Sequence, residues 1–254
     1  MTSPREGPRV PAVATAGLGL LLAVGCSSPS IDPAPRSAGP PPIEVVSTAG
    51  HIGQPIDLDL PVHPSGAFEF DQWPSACQLV DQKAITSVLP GVTETAQESR
   101  PAEISIITLM DPDADTGPFT VPEASCGTSA GFDVDGLRLS DGNVVMNFLV
   151  EVTAAGTPEY IERNADLPSG EEVQLGDATC VASEHRYDCA TDSFAFSVSL
   201  DARPYAQYVD GGDSIYRVDG EEVDYSDDVD GFLAMTDEKI LLPVVTSAAE
   251  RLSA

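Results

Sequence analysis

Five cysteines, three histidines and two runs of aspartate are the groups in this 254-residue chain that could do chemistry. Asp111-Pro112-Asp113-Ala114-Asp115-Thr116-Gly117 sets three carboxylates at alternate positions. A flexible loop that offers hard oxygen ligands to calcium uses this spacing. The fit has defects. The glycine arrives one residue late, Glu123 replaces the position-12 glutamate one residue too far on, and Pro112 and Pro118 stiffen the loop. A solvated acidic turn is the plainer reading. Asp111, Asp113 and Asp115 are therefore candidate ligands only, and calcium is the one candidate cofactor. The second run, Asp224-Tyr225-Ser226-Asp227-Asp228-Val229-Asp230-Gly231, has the same standing. Hydrolytic chemistry needs a nucleophile beside a base, most often histidine. His51 and His63 fall in a Pro-rich segment, and His185 sits between Cys180 and Cys189, where an exposed hairpin tip is expected. There is no Gly-x-Ser-x-Gly. No catalytic residue is assigned, and the chain reads as a non-enzyme. The alternative is an enzyme whose paired carboxylates meet only in the fold.

Cys26 is the cysteine with a distinct chemistry. It closes Val10 to Cys26, VPAVATAGLGLLLAVGC, an uncharged apolar run preceded by Arg5 and Arg9. A basic start, a short apolar core and a small-residue end make a secretion signal. The run is short of the ~20 apolar residues that span a bilayer. Its end, Leu22-Ala23-Val24-Gly25-Cys26, resembles the lipobox of bacterial lipoproteins, although Ala23 stands where leucine is usual. The resemblance implies cleavage after residue 25, thioether lipidation of Cys26 and anchoring on the extracytoplasmic face of the cell membrane. Two or three acyl chains hold stably, whereas one binds marginally.

Removing residues 1–25 takes away Arg5, Arg9 and Glu6 and leaves a net charge of −30, against −29 for the whole chain. That field repels nucleic acid and anionic lipid, so no nucleic-acid partner is expected. The hydrophobic share of 42% is too high for wholesale disorder. With Cys26 lipidated, Cys77, Cys126, Cys180 and Cys189 remain, an even set that outside the cytoplasm reads as two disulfides. Of the three pairings, Cys77–Cys126 and Cys180–Cys189 join sequence neighbours and are favoured.

The elements that would position these groups follow in order. Residues 26–66 hold nine prolines and read as a disordered tether. Residues 67–254 read as one disulfide-stapled domain. Gln78 to Leu89 has helical spacing, with Asp81 able to cap its first turn and Pro90-Gly91 ending it. Strand patterns cover Ile104 to Met110, Phe132 to Leu139, Val144 to Val152, Thr179 to Ala182, Arg186 to Ala190 and Phe194 to Leu200. Ser140-Asp141-Gly142-Asn143 is a hairpin signal. Pro158 to Asn164 suits one or two helical turns. Ala202 to Gly231 reads as a long acidic insertion. Leu241 to Leu252 keeps helical spacing, with Pro243 suited to its first turn. Antiparallel strands between an N-terminal and a C-terminal helix define an α+β domain.

Phe70-Asp71, Pro74, Cys77, the helix to Leu89 and Gly91, the second cysteine Cys126, Gly176-Asp177-Ala178 and the closing helix together resemble a family of actinobacterial lipoproteins. That family is catalogued as domain of unknown function 3558. The resemblance covers about residues 68–254. It implies an anchored extracytoplasmic domain, similar to PsbP-like and Mog1-like domains, with a twisted antiparallel sheet flanked by helices and no catalytic residues. Ser75-Ala76 between the proline and Cys77, and the Ala202–Gly231 segment, depart from the pattern. The expected function is a noncatalytic binding module of the cell envelope. It is anchored through Cys26 and takes an envelope protein or peptide as partner; weak binding of a divalent cation is a further alternative.

Overall fold

Three central strands carry the signature of a buried sheet face: apolar or small side chains at every second position. In Phe119–Asp133, residues Ala124, Cys126, Thr128, Ala130 and Phe132 are buried; in Asn143–Ala155, Met146, Phe148, Val150 and Val152; in Phe194–Asp201, Phe196, Val198 and Leu200. Successive side chains of a strand point to opposite faces, so this period of two defines one core side. The computed structural model describes residues 42–48, 53–106, 117–133, 143–203 and 215–252.

The fold is mixed α+β. Its main sheet has seven antiparallel strands: β2 (Glu94–Ile104), β3 (Phe119–Asp133), β4 (Asn143–Ala155), β5 (Glu172–Leu175), β6 (Ala178–Ser183), β7 (Arg186–Ala190) and β8 (Phe194–Asp201). Their spatial order is β2-β3-β4-β8-β7-β6-β5. A second sheet joins β1 (Ile43–Val45), parallel to β9 (Ile215–Val218), which pairs antiparallel with β10 (Glu221–Asp224). Helices α1 (Ala76–Leu79) and α2 (Gln82–Val88) and a C-terminal helix cover the core face of the main sheet. That last helix runs through α4 (Val229–Met235), a π-helical turn (Thr236–Leu241) and α5 (Leu242–Leu252). A short α3 (Pro158–Asn164) follows β4 and is capped by the Thr157 hydroxyl. Both expected disulfides are present: Cys77–Cys126 ties α1 to β3, and Cys180–Cys189 bridges β6 and β7.

Several expectations need correction. The expected tether ends well before residue 66. Ile43, Val45 and Ile56 are buried, Ser47 is held by both carboxylate oxygens of Asp219, and the Ile56 amide donates to the Arg251 carbonyl at 2.8 Å. The described parts of this segment, residues 42–48 and 53–66, hold no helix, but a proline-bearing chain with apolar residues can still be strapped onto a core. His63 is part of this strap, its ring against Phe70 and Phe119, and so is not an exposed tail histidine. The single helix expected over Gln78–Leu89 is two, because Asp81 caps a fresh start through its bond from the Ala84 amide at 2.9 Å. The segment read as a 202–231 insertion contains β9, β10 and the start of α4. Asp219 and Gly220 both have positive φ, 51° and 91°, which is the two-residue turn an Asp-Gly hairpin favours. The C-terminal helix begins at Val229, not Leu241, so Pro243 lies in its interior. Proline lacks an N–H and crowds the preceding turn. The π turn just before it, with the Leu242 amide bonding the Asp237 carbonyl five residues back, takes up that mismatch. Of the expected strand over 104–110, only Ile104 belongs to β2, residues 105 and 106 are outside any strand, and residues 107–110 lie outside the described residues. The 132–139 strand reaches Asp133 within them. Of the hairpin signal at 140–143, residues 140–142 lie outside them, and Asn143 is already the first residue of β4, opposite Asp133, which is not the register of a tight turn at 140–143.

Candidate functional site

The far side of the main sheet is the surface left for function. Registers place Ala96, Glu98 and Arg100 of β2 on it, followed by Ser125, Gly127 and Ser129 of β3 and Asn147, Leu149 and Glu151 of β4. Ser197, Ser199 and Asp201 of β8 and Arg186 and Asp188 of β7 complete it. A shallow trough of about 450 Å³ runs across it, lined by Glu98, Arg100, Ser129, Asn147, Leu149 and Asp201 among others. Its floor is low because short side chains make it. A Cβ added at Gly127 would meet no atom within 4 Å. A strand glycine packs nothing and weakens the strand, and such glycines often mark close approach of another backbone.

The charges here are organised in pairs. Arg186 places its guanidinium fork on Asp188, with Nε and Nη2 donating at 2.9–3.1 Å, and turns Nη1 to Glu151 at 3.3 Å. The hydrogen bonds to Asp188 hold this guanidinium above its ordinary pKa range, against the opposing effect of burial, and Glu151 adds to them. The three side chains roof Ser197, which is 1% exposed. Arg100 and Glu98 pair at 2.7 Å on the exposed rim, and the Arg100 hydrogen bond lowers the Glu98 pKa. The Ser129 hydroxyl donates to Asn147 Oδ1 at 2.8 Å. With both arginines already paired, Asp201 and part of Glu151 are left to give the face its sign, and that sign is negative.

His185 sits at the β6–β7 turn with φ of 54°, as expected of a hairpin tip, but it is not simply exposed. Its Nδ1 lies 2.7 Å from Asp237 Oδ1 in the π turn, and its side chain is 26% exposed. Burial, then Asp237 and Glu238, push up the pKa of neighbouring Tyr187. A histidine oriented by a carboxylate is half of a hydrolytic site, and the other half is a nucleophile. No hydroxyl or thiol among the described residues hydrogen-bonds this ring. Cys77, Cys126, Cys180 and Cys189 are all held in disulfides. The pair clamps a hairpin to the C-terminal helix.

Asp111, Asp113 and Asp115 lie outside the described residues, as does Cys26. The second acidic run is described, and two of its carboxylates serve the chain itself. Asp224 Oδ1 accepts from the Ser226 amide at 2.9 Å, and Asp228 caps α4 through the Gly231 amide at 2.9 Å. Among the described residues no three His, Cys, Asp or Glu side chains converge as metal ligands. Sequence reasoning missed the trough because its residues, Gly127, Ser129, Asn147 and Ser199, belong to no chemical motif. The available signal was the run of small residues in β3, which alternates Ala, Cys and Thr inward with Ser and Gly outward.

No family model, curated protein or solved structure gives a significant match to the chain.

Proposed function

We propose that the protein is a lipoprotein of the cell envelope, anchored through Cys26 on the extracytoplasmic face of the membrane. Its domain acts without catalysis, binding an envelope protein or peptide on the open face of the main sheet. The observation that carries this reading is the asymmetry of that sheet. One face is covered by α1, α2 and the C-terminal helix, and the other presents a trough of short polar side chains and paired charges. Two disulfides favour an oxidising compartment, and the Val10–Cys26 run supplies the route there. The resemblance to the actinobacterial lipoproteins points the same way.

The test places a photo-crosslinking residue at Leu149, in the trough, and at the exposed Glu162 on α3 as control, in intact cells. A partner captured from position 149 and not from 162 is the expected result. Equal capture from both positions refutes the binding face. In parallel, Cys26→Ala releases the protein into the medium; a variant that stays with the cells refutes the anchor.

A further inference from the structure

Strand β2 is the edge of the main sheet. It pairs with β3 alone, and among the described residues nothing pairs with its outer edge. It is eleven residues long, and most of its side chains are exposed. A long open edge is a template for another strand, and proteins blunt such edges with proline, charge and bulges. Here Pro101 and a register shift between Arg100 and Ala102 interrupt the strand, leaving Glu94–Arg100 as an unbroken run whose charges are not all of one sign.

We propose that this run pairs antiparallel with the same run of a second copy, centred on Gln97, in a weak and reversible homodimer. In an antiparallel pair, opposed residues must share parity, so only a few registers compete. Centred on Gln97, Glu94 faces Arg100 of the second copy, and Arg100 faces Glu94. Thr95 faces Ser99, and Ala96 faces Glu98. Every charged residue of the run meets an opposite charge or an alanine. Centred on Ala96, Glu94 would face Glu98. Centred on Glu98, that residue would face itself. Centred on Ser99, Glu98 would meet Arg100, but the ladder would run into Pro101, which has no N–H to give, and into the register shift. Opposite charges across a strand pair stabilise and like charges destabilise, so the Gln97 register wins on both counts. Arg100 is free to take part because its present pairing with Glu98 is exposed, at 64% and 69%. A seam of one strand buries less than the roughly 1,200 Å² of stable complexes, and each copy carries a large negative charge. Association is therefore weak, and best seen near 0.15 M salt, where the Debye length of about 8 Å screens the overall repulsion.

Sedimentation equilibrium of the full chain carrying Cys26→Ser tests this. The parent shows a concentration-dependent dimer. Arg100→Glu weakens it roughly tenfold or more, since both cross-strand pairs become repulsive. The double swap Glu94→Arg with Arg100→Glu restores it. A short bis-maleimide links Gln97→Cys to its counterpart several-fold better than Glu103→Cys, which lies beyond the register shift. A parent that stays monomeric into the millimolar range overturns the proposal. So does a dimer indifferent to Arg100→Glu, or equal linking at 97 and 103.

Discussion

Arg251 joins three parts of the chain that are far apart in sequence, and replacing it tests whether that joint holds the strap. Its side chain is buried, the whole residue being 7% exposed. Nε donates to the Gln54 carbonyl at 2.9 Å, and Nη1 donates to the carbonyls of Gln78 and, at 3.4 Å, Leu79. Asp81 stands 3.9 Å away and is partly exposed, so it adds little. Arg251→Met keeps most of the stem volume and removes the donors. Hydrogen bonds to a charged group contribute about 1.5–3 kcal/mol each. They do not add fully, and breaking a buried charged cluster from one side costs about 3–5 kcal/mol. The expected loss is about 4 kcal/mol, or roughly 10 °C in Tm for a domain of this size. Urea unfolding measures it, and hydrogen exchange locates it in the amides of residues 53–60. Arg251→Lys keeps the charge without the fork and is expected to lose about half as much. Gly53 gives a second handle. Its φ is 107°, and a Cβ there would stand 2.6 Å from Arg251 Nε. Gly53→Ala therefore costs more in the parent than in Arg251→Met, with a coupling of at least ~0.5 kcal/mol. A loss below about 1 kcal/mol in Arg251→Met, with unchanged exchange in the strap, would falsify the joint.

Two further outcomes follow from the same geometry. The disulfides close loops of different length, with sequence separations of 49 and 9. Loop-closure entropy then makes loss of Cys77–Cys126 cost about 4 kcal/mol and loss of Cys180–Cys189 about 2.5; equal losses in urea unfolding of the two double-alanine variants contradict the entropic account. Asp219 accepts from the Ser47 hydroxyl at 2.6 Å and from its amide at 2.8 Å, and these bonds, the hydroxyl first, lower its pKa. A lowered folded-state pKa means that its hold on the strap is complete above the ordinary carboxylate range and is lost as pH falls through the lowered value. The Ser47 amide resonance reports it, and an inflection at or above about 3.9, the ordinary aspartate value, rules it out.

The sequence was most readable where large apolar side chains repeat. Val198 and Leu200 in β8, and Val244, Val245, Ala248 and Leu252 in α5, give periods of 2 and 3.6 that survive any context. The two disulfides were legible from parity and proximity. Strand β2 was not, because an edge strand buries little and ETAQESRPAEI shows no alternation of polarity. The strap was hidden for the opposite reason. Its prolines mimic a linker, and only its long-range partners, Tyr216 opposite Ile43 and Arg251 beside Ile56, reveal that it is folded. Asp219-Gly220 was a readable turn, obscured by the acidic residues around it. The open face of the sheet had no motif to find, since its property is what short side chains leave uncovered.

The strap also sets how the domain responds to mechanical load. A force applied through an N-terminal attachment enters at Pro42 and meets the three-residue β1 first, then the contacts of Ile56 and Arg251. These could peel in sequence, lengthening the linkage by the chain from residue 42 to residue 76. That is about 120 Å at full extension. At Cys77 the path becomes covalent, because the bridge to Cys126 passes the load directly into β3 of the main sheet. The strap thus works as an extensible fuse in series with a stapled body. The strap can lengthen under tension while the stapled sheet stays folded.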